Sequence, residues 1–384
     1  MPRGLALLFA LSLGCATTPP PDADIAALRA APWLQARVLS GPYGYFRFVN
    51  ARFASEVCKR FEAQVTDARR VNLHGDAHLE QYAITDTGRG LSDFDDSASG
   101  PVVIDLMRFA TAIHLATRSR GWTSSTDEVI DRFFAGYRAA LADPTLTGEA
   151  PSVVTRLRQS FHYDAKAYFE AVAKMCEPVS AQVDAALKKA LASYVEIQKK
   201  RDAALSPAYF DVVTVAQTHI GIGSALARKY LVRVHGPTDD PLDDLVLELK
   251  EVSESRRGPC LDLGAARDPL RLLTTQARIA YEPYRHPGYL VIEGSPFWVH
   301  AWARAYIELS AEKLESVEEL GEVARDVGIQ LGLGHPRYIA APFDAELRRE
   351  ILDRLEVDQP MVKREAQAMA DRVELWWQDA RSQM

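Results

Sequence analysis

Apolar residues recur at two different periods along the chain, and these periods predict where helices and strands lie. Between about 126 and 208 they fall three or four positions apart, at 130, 133, 134, 137 and 141 and again at 179, 183, 187 and 191. That spacing puts them on one face of an α-helix. We therefore predict an almost wholly helical region there. A second helical stretch is predicted from about 316 to 384, with breaks at Gly332, Gly334 and Pro336 and at Pro360.

Strand-like segments occupy the middle of the chain. Apolar, β-branched and aromatic residues are enriched at 210–215, 230–234, 245–249 and 288–299, and two short strands can flank the turn at 85–90. The predicted fold class is therefore α+β and helix-rich. It comprises a helical lobe at 31–208, a mainly β lobe at 209–310, and C-terminal helices at 311–384 that return to the helical lobe.

The first residues are predicted to lie outside this fold. Residues 1–14 join a basic start to an apolar run too short to span a bilayer, which is typical of a signal peptide. Residues 11–15 resemble the lipobox of bacterial lipoproteins, in which the cysteine (here Cys15) is lipidated and becomes the N-terminus. Residues 15–30 would form a Pro-rich tether. This pattern predicts an exported lipoprotein at the periplasmic face or the cell surface, held to the membrane only by that lipid.

Charge and cysteine content narrow the choice of partners. A net charge of −7 and a pI near 5.8 give no electrostatic reason to expect a nucleic-acid partner. Cys58, Cys176 and Cys260 lack a C-x-x-C spacing, so no zinc site is implied. One disulfide among them fits an oxidising compartment, but three buried structural cysteines are the expected state. Nothing in the sequence indicates an oligomeric state.

Two acidic motifs carry the candidate chemistry. Residues 74–81 read His-Gly-Asp-Ala-His-Leu-Glu-Gln, and residues 92–96 read Ser-Asp-Phe-Asp-Asp. Asp93 therefore lies 17 residues after Asp76. Phosphoryl-transfer sites commonly use one carboxylate at the attacking hydroxyl and another on the metal that binds the nucleotide phosphates. Gln81 stands five residues after Asp76, where the kinase pattern has its metal-binding amide.

A second constellation lies in the predicted β lobe. A two-glycine turn contains Gly221, Gly223 and Ser224, and Lys250 lies on a later strand. Backbone amides of such a turn can approach phosphates, and a strand lysine can reach the same phosphates as a point charge. These four residues are the predicted nucleotide-binding set.

Together the motifs resemble a known bacterial family. The two acidic motifs, Gly100-Pro101 with Asp105-Leu106 and Arg108, the glycine turn and the strand around Lys250 are similar to domain of unknown function 2252. Residues 41–48 also resemble the opening segment of that family. Its core is similar to the aminoglycoside phosphotransferase and protein-kinase superfamily.

The resemblance implies a protein-kinase-like fold of two lobes. The motif like the catalytic loop precedes the glycine turn and the strand lysine, the reverse of the order in kinases, so a circular permutation is expected. The helix at about 320–333 would then pack beneath the loop that carries Asp76.

The resemblance also implies roles for individual residues. Asp76 would be the general base or would position the substrate hydroxyl, with His74 and Arg47 as further catalytic candidates. Asp93 would bind the metal, with Asp95 or Asp96 assisting and Gln81 as a second ligand.

The expected cofactor is magnesium or manganese with ATP or another nucleotide, and the expected substrate is a small molecule with a hydroxyl group, bound in the cleft between the lobes.

Several of these residues have a second interpretation. His74 and His78 can hold the loop by hydrogen bonds, and Arg47 can pair with a loop carboxylate instead of a phosphate. Asp105 is expected to be a cap or a loop anchor. Gln276 stands where a kinase has the glutamate that pairs with the strand lysine.

Two alternative functions follow. The first is a catalytically silent binding module, favoured by Gln81, by the missing glutamate and by a compartment where ATP is scarce. The second is a metal-dependent hydrolase that uses His74, Asp76 and His78 with Asp93 and Asp95.

Overall fold

A computed structural model describes residues 21–219, 227–252, 259–262, 264, 267–282 and 284–384. The predicted signal peptide, the lipidation site Cys15 and residues 15–20 of the predicted tether lie outside the described residues, as do Gly221, Gly223 and Ser224. Within the described parts, no helix combines the length and the apolar character needed to cross a bilayer.

The helical lobe contains the N-terminal half of the chain and its C-terminal helices. Small antiparallel pairings lie within it: β1 with β4, and the three-stranded order β11-β2-β3. Its helices and strands are α1 (Pro21–Ala30), α2 (Pro32–Val38), α3 (Pro42–Phe48), α4 (Asn50–Arg60), α5 (Glu62–Thr66), β1 (Val71–Leu73), β2 (Tyr82–Thr85), β3 (Arg89–Leu91), β4 (Ala98–Gly100), α6 (Val103–Arg120), α7 (Thr126–Ala142), α8 (Ser152–Arg158), β11 (Tyr306–Glu308), α12 (Val317–Gly334) and α13 (Phe343–Ser382).

The second lobe is built on a six-stranded antiparallel sheet in the order β5-β6-β7-β8-β10-β9. Its elements are α9 (Ala165–Lys174), β5 (Cys176–Pro178), α10 (Ala181–Arg201), β6 (Val212–Thr218), β7 (Lys229–Val234), β8 (Leu245–Glu251), α11 (Pro269–Ile279), β9 (Gly288–Ile292) and β10 (Ser295–Ala301). The mixed α+β class, with helix predominating, is confirmed.

The two faces of this sheet differ in chemistry because side chains alternate along each strand. Leu247 and Leu249 of β8 share a buried apolar cluster with Val232 of β7, Val299 of β10 and Leu191 of α10. The opposite face of β8 carries Glu248 and Lys250, so the sheet turns polar residues away from its own core.

Several predicted boundaries need correction. The predicted helical lobe at 31–208 extends too far, because β5 and α10 belong to the sheet and its core. The predicted β lobe at 209–310 also ends too late, since β11 pairs with β2 of the helical lobe. The predicted strand at 288–299 is a hairpin of β9 and β10 that turns at Glu293 and Gly294, both in the left-handed region of φ.

Two predictions about the chain ends are also wrong. The tether is helical from residue 21 onward, since Ile25 and Leu28 of α1 are buried against α2 and the end of α13. Pro360 does not break α13, which continues through it. Pro360 is exposed, so water can bind the carbonyl that its missing N–H leaves free, while buried Leu355 and Val362 keep both flanks packed.

The cysteines differ from the expected state. Cys58 of α4 and Cys260 form a disulfide, whereas Cys176 is unpaired and partly buried. Residues 260–262 thereby lie against the helical lobe, where Asp262 pairs with Ser99 of β4 through two backbone hydrogen bonds of 2.8 Å. The disulfide therefore fastens the segment that follows β8 next to the second acidic motif.

Candidate functional site

The loop after β1 is held by a buried carboxylate of α6. Asp105 accepts hydrogen bonds from the backbone N–H groups of His74 (2.7 Å) and Gly75 (2.9 Å), and His335 lies 3.2 Å from it. Charge-assisted bonds of this kind fix a backbone strongly. The predicted anchoring role of Asp105 is confirmed.

Gly75 is required where the two acidic motifs touch. Its φ is +81°, and a Cβ at this position would lie 1.9 Å from the carbonyl oxygen of Asp96. Asn50 bridges the same contact, because its amide donates to the Gly75 carbonyl and to the Asp96 carboxylate. The two motifs therefore meet directly, although a hairpin separates them in sequence.

His74 holds this arrangement rather than taking part in proton transfer. It is fully buried, its Nδ1 accepts from the backbone N–H of Asp76 (3.3 Å), and its Nε2 donates to the Ser92 carbonyl (2.9 Å). Because both ring nitrogens are occupied, the predicted catalytic role of His74 is replaced by a positioning one.

Asp76 is an ionised carboxylate in a buried ion pair. Two nitrogens of Arg108 lie 2.9 Å and 2.7 Å from its Oδ1, and the amide of Gln81 donates to its Oδ2 (3.2 Å). Burial alone would raise the pKa of Asp76, but the Arg108 guanidinium and His78 outweigh it and hold that pKa well below its usual value. A carboxylate held so firmly is a weak base and suits the orientation of a hydroxyl better than its deprotonation.

Arg108 is the functional residue to which the sequence assigned no role. It is 1% exposed, it donates to the Phe46 carbonyl, and its guanidinium lies 3.6 Å from the centre of the Phe46 ring. An arginine among apolar residues of one helix needs a buried carboxylate partner, and this was the signal in the sequence.

Gln81 and Arg47 both bind residues of the loop that carries Asp76. Gln81 was predicted to bind metal, and its amide nitrogen donates to Asp76, a bond that does not use the carbonyl oxygen on which that prediction depends. Arg47 was a catalytic candidate, but it pairs with the loop residue Glu80 and approaches Glu308 at 3.9 Å. Arg47 thus has the second of its two expected roles, a partner of a loop carboxylate.

Asp93, Asp95 and Lys250 meet between the lobes. The Lys250 ammonium of β8 lies 2.8 Å from Asp93 Oδ1 and 2.5 Å from Asp95 Oδ2. Asp93 has a φ of +57°, and its side chain is 36% exposed against 6% for that of Lys250. The structure therefore brings together three of the predicted site residues, of which Asp93 is the most exposed to solvent.

One ammonium does not neutralise both carboxylates. Burial works against ionisation of Asp93, yet Lys250 outweighs it and lowers the pKa of Asp93 to about 2. Burial and the neighbouring Asp93 raise the pKa of Asp95 to about 7. Burial and Asp76 raise the pKa of Asp96 to about 6. A further positive charge is therefore favourable at Asp95.

Asp93 and Asp95 suit a metal ion that is held mainly by the phosphate groups of a bound molecule. Among the residues that the structure describes, no three His, Cys, Asp or Glu side chains form a metal-binding group. Magnesium bound to phosphates needs only one or two protein carboxylates, and Asp93 and Asp95 can supply them. The hydrolase alternative needs a cluster that includes His74 and His78, and no observation favours it.

The sheet side of the site is a layer of stacked rings. The Glu248 carboxylate lies 2.9 Å from His300 Nε2. The His300 ring stacks on Tyr284 (4.2 Å between ring centres) and on Trp298 (4.4 Å), and those two rings lie 5.6 Å from each other. Burial would raise the pKa of Glu248, but the hydrogen bond to His300 lowers it to about 2. These rings lie on the same face of the sheet as Lys250, because Trp298 is its cross-strand partner on β10.

Helix α11 joins the sheet to the second acidic motif. Arg271 donates to the carbonyls of Asp95 (2.7 Å) and Ser97 (2.5 Å). Gln276 of the same helix is buried, and its Nε2 has no hydrogen-bond partner among the described residues. Gln276 stands where a kinase has the glutamate that pairs with the strand lysine, and Lys250 pairs instead with Asp93 and Asp95 of the opposite lobe.

Comparison with protein families agrees with the motifs. The family described as an uncharacterized protein conserved in bacteria (DUF2252) matches residues 29–167 and 149–382, and the chain belongs to that family. Searches among curated proteins and among solved structures gave no match.

Proposed function

We propose that this protein is a kinase-like, metal-dependent phosphotransferase that acts on the hydroxyl group of a small molecule with a nucleotide as donor. The observation that carries the proposal is the meeting of Lys250 with Asp93 and Asp95 across the two lobes, beside the loop of Asp76. A buried cation, metal-binding carboxylates and a carboxylate for the acceptor are the groups that phosphoryl transfer needs.

Each group would have a distinct task. Asp93 and Asp95 would hold a magnesium or manganese ion, which neutralises phosphate charge when it is bound. Lys250, released from those carboxylates by the metal, would contact a phosphate. Asp76, oriented by Arg108 and Gln81, would accept a hydrogen bond from the acceptor hydroxyl.

A circularly permuted kinase-like arrangement is supported by helix α12. Gln330 of this helix accepts from the backbone N–H of Leu91 (2.7 Å), just ahead of the second acidic motif. The next residue after the helix, His335, reaches Asp105, which holds the first motif. The late helix thus contacts the segments that carry both motifs, and this supports the proposed permutation.

Export to an oxidising compartment is part of the proposal. The disulfide between Cys58 and Cys260 is of a kind that persists in periplasmic and secreted proteins and is rare in the cytosol. This supports the periplasmic face or the cell surface as the location, with attachment through lipidated Cys15.

Calorimetric titration tests the proposal. ATP and GTP are titrated into the protein with magnesium, with manganese and with neither, in parallel with Asp93→Ala and Lys250→Ala. Exposed Asp86 on the turn between β2 and β3 provides the control variant Asp86→Ala. We expect saturable, metal-dependent binding that both site variants lose and the control keeps. Absence of binding in the wild-type protein would refute the proposal.

A silent binding module remains the second candidate, on a specific observation. Both carboxylate oxygens of Asp76, the residue proposed to orient the acceptor hydroxyl, already accept hydrogen bonds, from Arg108 and from the amide nitrogen of Gln81. Metal-dependent nucleotide binding with no release or transfer of phosphate, across a panel of small hydroxyl compounds, would select this candidate.

A further inference from the structure

Lys250 has a second lysine as its direct neighbour in the sheet. Lys229 is the first residue of β7 and is the cross-strand partner of Lys250 on β8. Directly opposite residues of antiparallel strands project from the same face, with their Cβ atoms about 5 Å apart. Both residues are buried, at 3% and 4% exposure. Two lysine side chains therefore start side by side on the face of the sheet from which Lys250 reaches Asp93 and Asp95.

This pair is unfavourable for folding. Like charges directly opposite each other destabilise a sheet, and burial of each charge adds to the cost. The pKa of Lys229 accordingly falls to about 8, through burial first and Lys250 second.

Lys229 belongs to the same centre as the acidic residues. Its charge is among those that favour the ionised forms of Asp93, Asp95 and Glu248. It also begins the strand that follows the connection in which Gly221, Gly223 and Ser224 lie. Of the predicted nucleotide-binding residues, Lys250 is the one that the described part of the chain contains, and Lys229 is its direct neighbour.

We propose that Lys229 and Lys250 together bind two adjacent phosphate groups of one ligand, so that the site takes compounds with at least a diphosphate. Nucleoside diphosphates and triphosphates share this chemistry with inorganic diphosphate and triphosphate. The inference rests on the proposed function and adds to it a residue that reads the number of phosphates. Lysine suits this task because its compact charge sits on a flexible stem and can turn toward an oxygen.

The test compares ligands that differ in phosphate number. Dissociation constants are measured by calorimetry on the full chain with magnesium for AMP, ADP, ATP, inorganic diphosphate and inorganic triphosphate. The variants are Lys229→Met and Lys229→Arg. Lys188→Met is the control, because it removes the same charge from α10, which covers the other face of the sheet. The melting temperature of each ligand-free variant is measured as well.

Lys229→Met is expected to change the melting temperature and the affinity for phosphates in opposite directions. Lys229→Met should raise the melting temperature, because it removes a buried like-charge neighbour. It should also weaken the binding of compounds with two or three phosphates by about tenfold or more, the usual worth of a charged hydrogen bond. Binding of AMP should change little, Lys229→Arg should restore most of the affinity, and Lys188→Met should change neither quantity. Equal effects of Lys229→Met on the binding of ATP and of inorganic triphosphate would show that Lys229 recognises the phosphates and not the nucleoside.

Other results overturn the inference. If Lys229→Met lowers the melting temperature, or weakens AMP and ATP equally, the lysine has a structural role. If Lys250→Ala abolishes binding while Lys229→Met leaves every constant unchanged, the proposed function stands and Lys229 has no part in it. If the wild-type protein binds none of the five compounds, both proposals fail.

Discussion

At the scale of single residues, the site is an arrangement of carboxylates with too little positive charge next to Asp95. Asp93 and Asp95 share Lys250, while Asp76 has Arg108. The sequence predicted Asp76, Asp93 and Lys250 from their spacing and motifs, because carboxylates and a lysine in such motifs are typical of phosphoryl-transfer sites. It gave Arg108 no role, because its partner Asp76 lies 32 residues away in the sequence and the contact depends on how α6 packs. It left two roles open for Arg47 and for His74, and the structure shows Arg47 paired with Glu80 and His74 bonded to the backbone of both acidic motifs.

The shortage of positive charge predicts a pH-dependent stability. The pKa of Asp95 is raised to about 7 and that of Asp96 to about 6, above the unfolded value of about 4. Between those values the folded protein retains protons that the unfolded chain has lost, so these residues make the free energy of unfolding fall as the pH rises. The buried residues His78 and His114 act in the opposite direction, since burial lowers the pKa of each to about 4.

Asp95→Asn isolates this effect. The variant should be more stable than the wild-type protein at pH 8, by on the order of 1–2 kcal/mol, and similar to it near pH 4.5. Its metal-dependent nucleotide binding should be lost. Chemical denaturation at several pH values measures the difference, with Asp86→Asn as the exposed control on the same hairpin. A loss of stability at pH 8 would contradict the assigned charge balance.

At the scale of elements, alternation and helical period located most of the secondary structure. The strands β6, β7 and β8 fall near their predicted positions, because apolar and β-branched residues are enriched in them. The hairpin of β2 and β3 lies at the predicted turn. The helical period could not show that α10 covers the sheet, because an apolar stripe does not indicate which element the helix packs against. The same limit applies to α1, which buries Ile25 and Leu28.

The close contact of the two acidic motifs gives a prediction at this scale. Gly75→Ala would place a Cβ 1.9 Å from the Asp96 carbonyl, whereas a Cβ at Gly121 meets nothing within 4 Å. Both glycines have left-handed φ values, +81° and +72°, so Gly121→Ala controls for the backbone strain of about 1–2 kcal/mol. Gly75→Ala should cost more stability than this and abolish nucleotide binding, as thermal denaturation and calorimetry can measure. Equal effects of the two variants would show that the motifs do not press on each other.

At the scale of the whole molecule, two lobes with separate cores meet at the site and at the disulfide. The sequence predicted two lobes and their order, but it did not predict the pairing of Cys58 with Cys260, because 202 residues separate them and no local pattern joins them. The disulfide holds Asp262 on β4, next to Asp96. It therefore couples the end of β8 to the acidic motif through the fold.

Removal of this disulfide should destabilise the protein and loosen the site. A bridge that closes so long a loop is worth about 2–5 kcal/mol through the entropy of the unfolded chain. The double variant Cys58→Ser with Cys260→Ser should unfold at lower temperature and bind the metal–nucleotide complex more weakly. Cys176→Ser, which leaves the bridge intact, should match the wild-type protein. An unchanged melting temperature in the double variant would contradict the pairing.

The central claim is that the space between Asp93, Asp95 and Lys250 binds a divalent cation together with phosphate. The most direct measurement is a crystal structure of the protein with manganese and a non-hydrolysable ATP analogue, with the anomalous signal used to locate the metal. We expect manganese on Asp93 and Asp95, and Lys250 turned from these carboxylates to a phosphate oxygen. Manganese at another site, or Lys250 still bound to both carboxylates in the presence of saturating analogue, would contradict it.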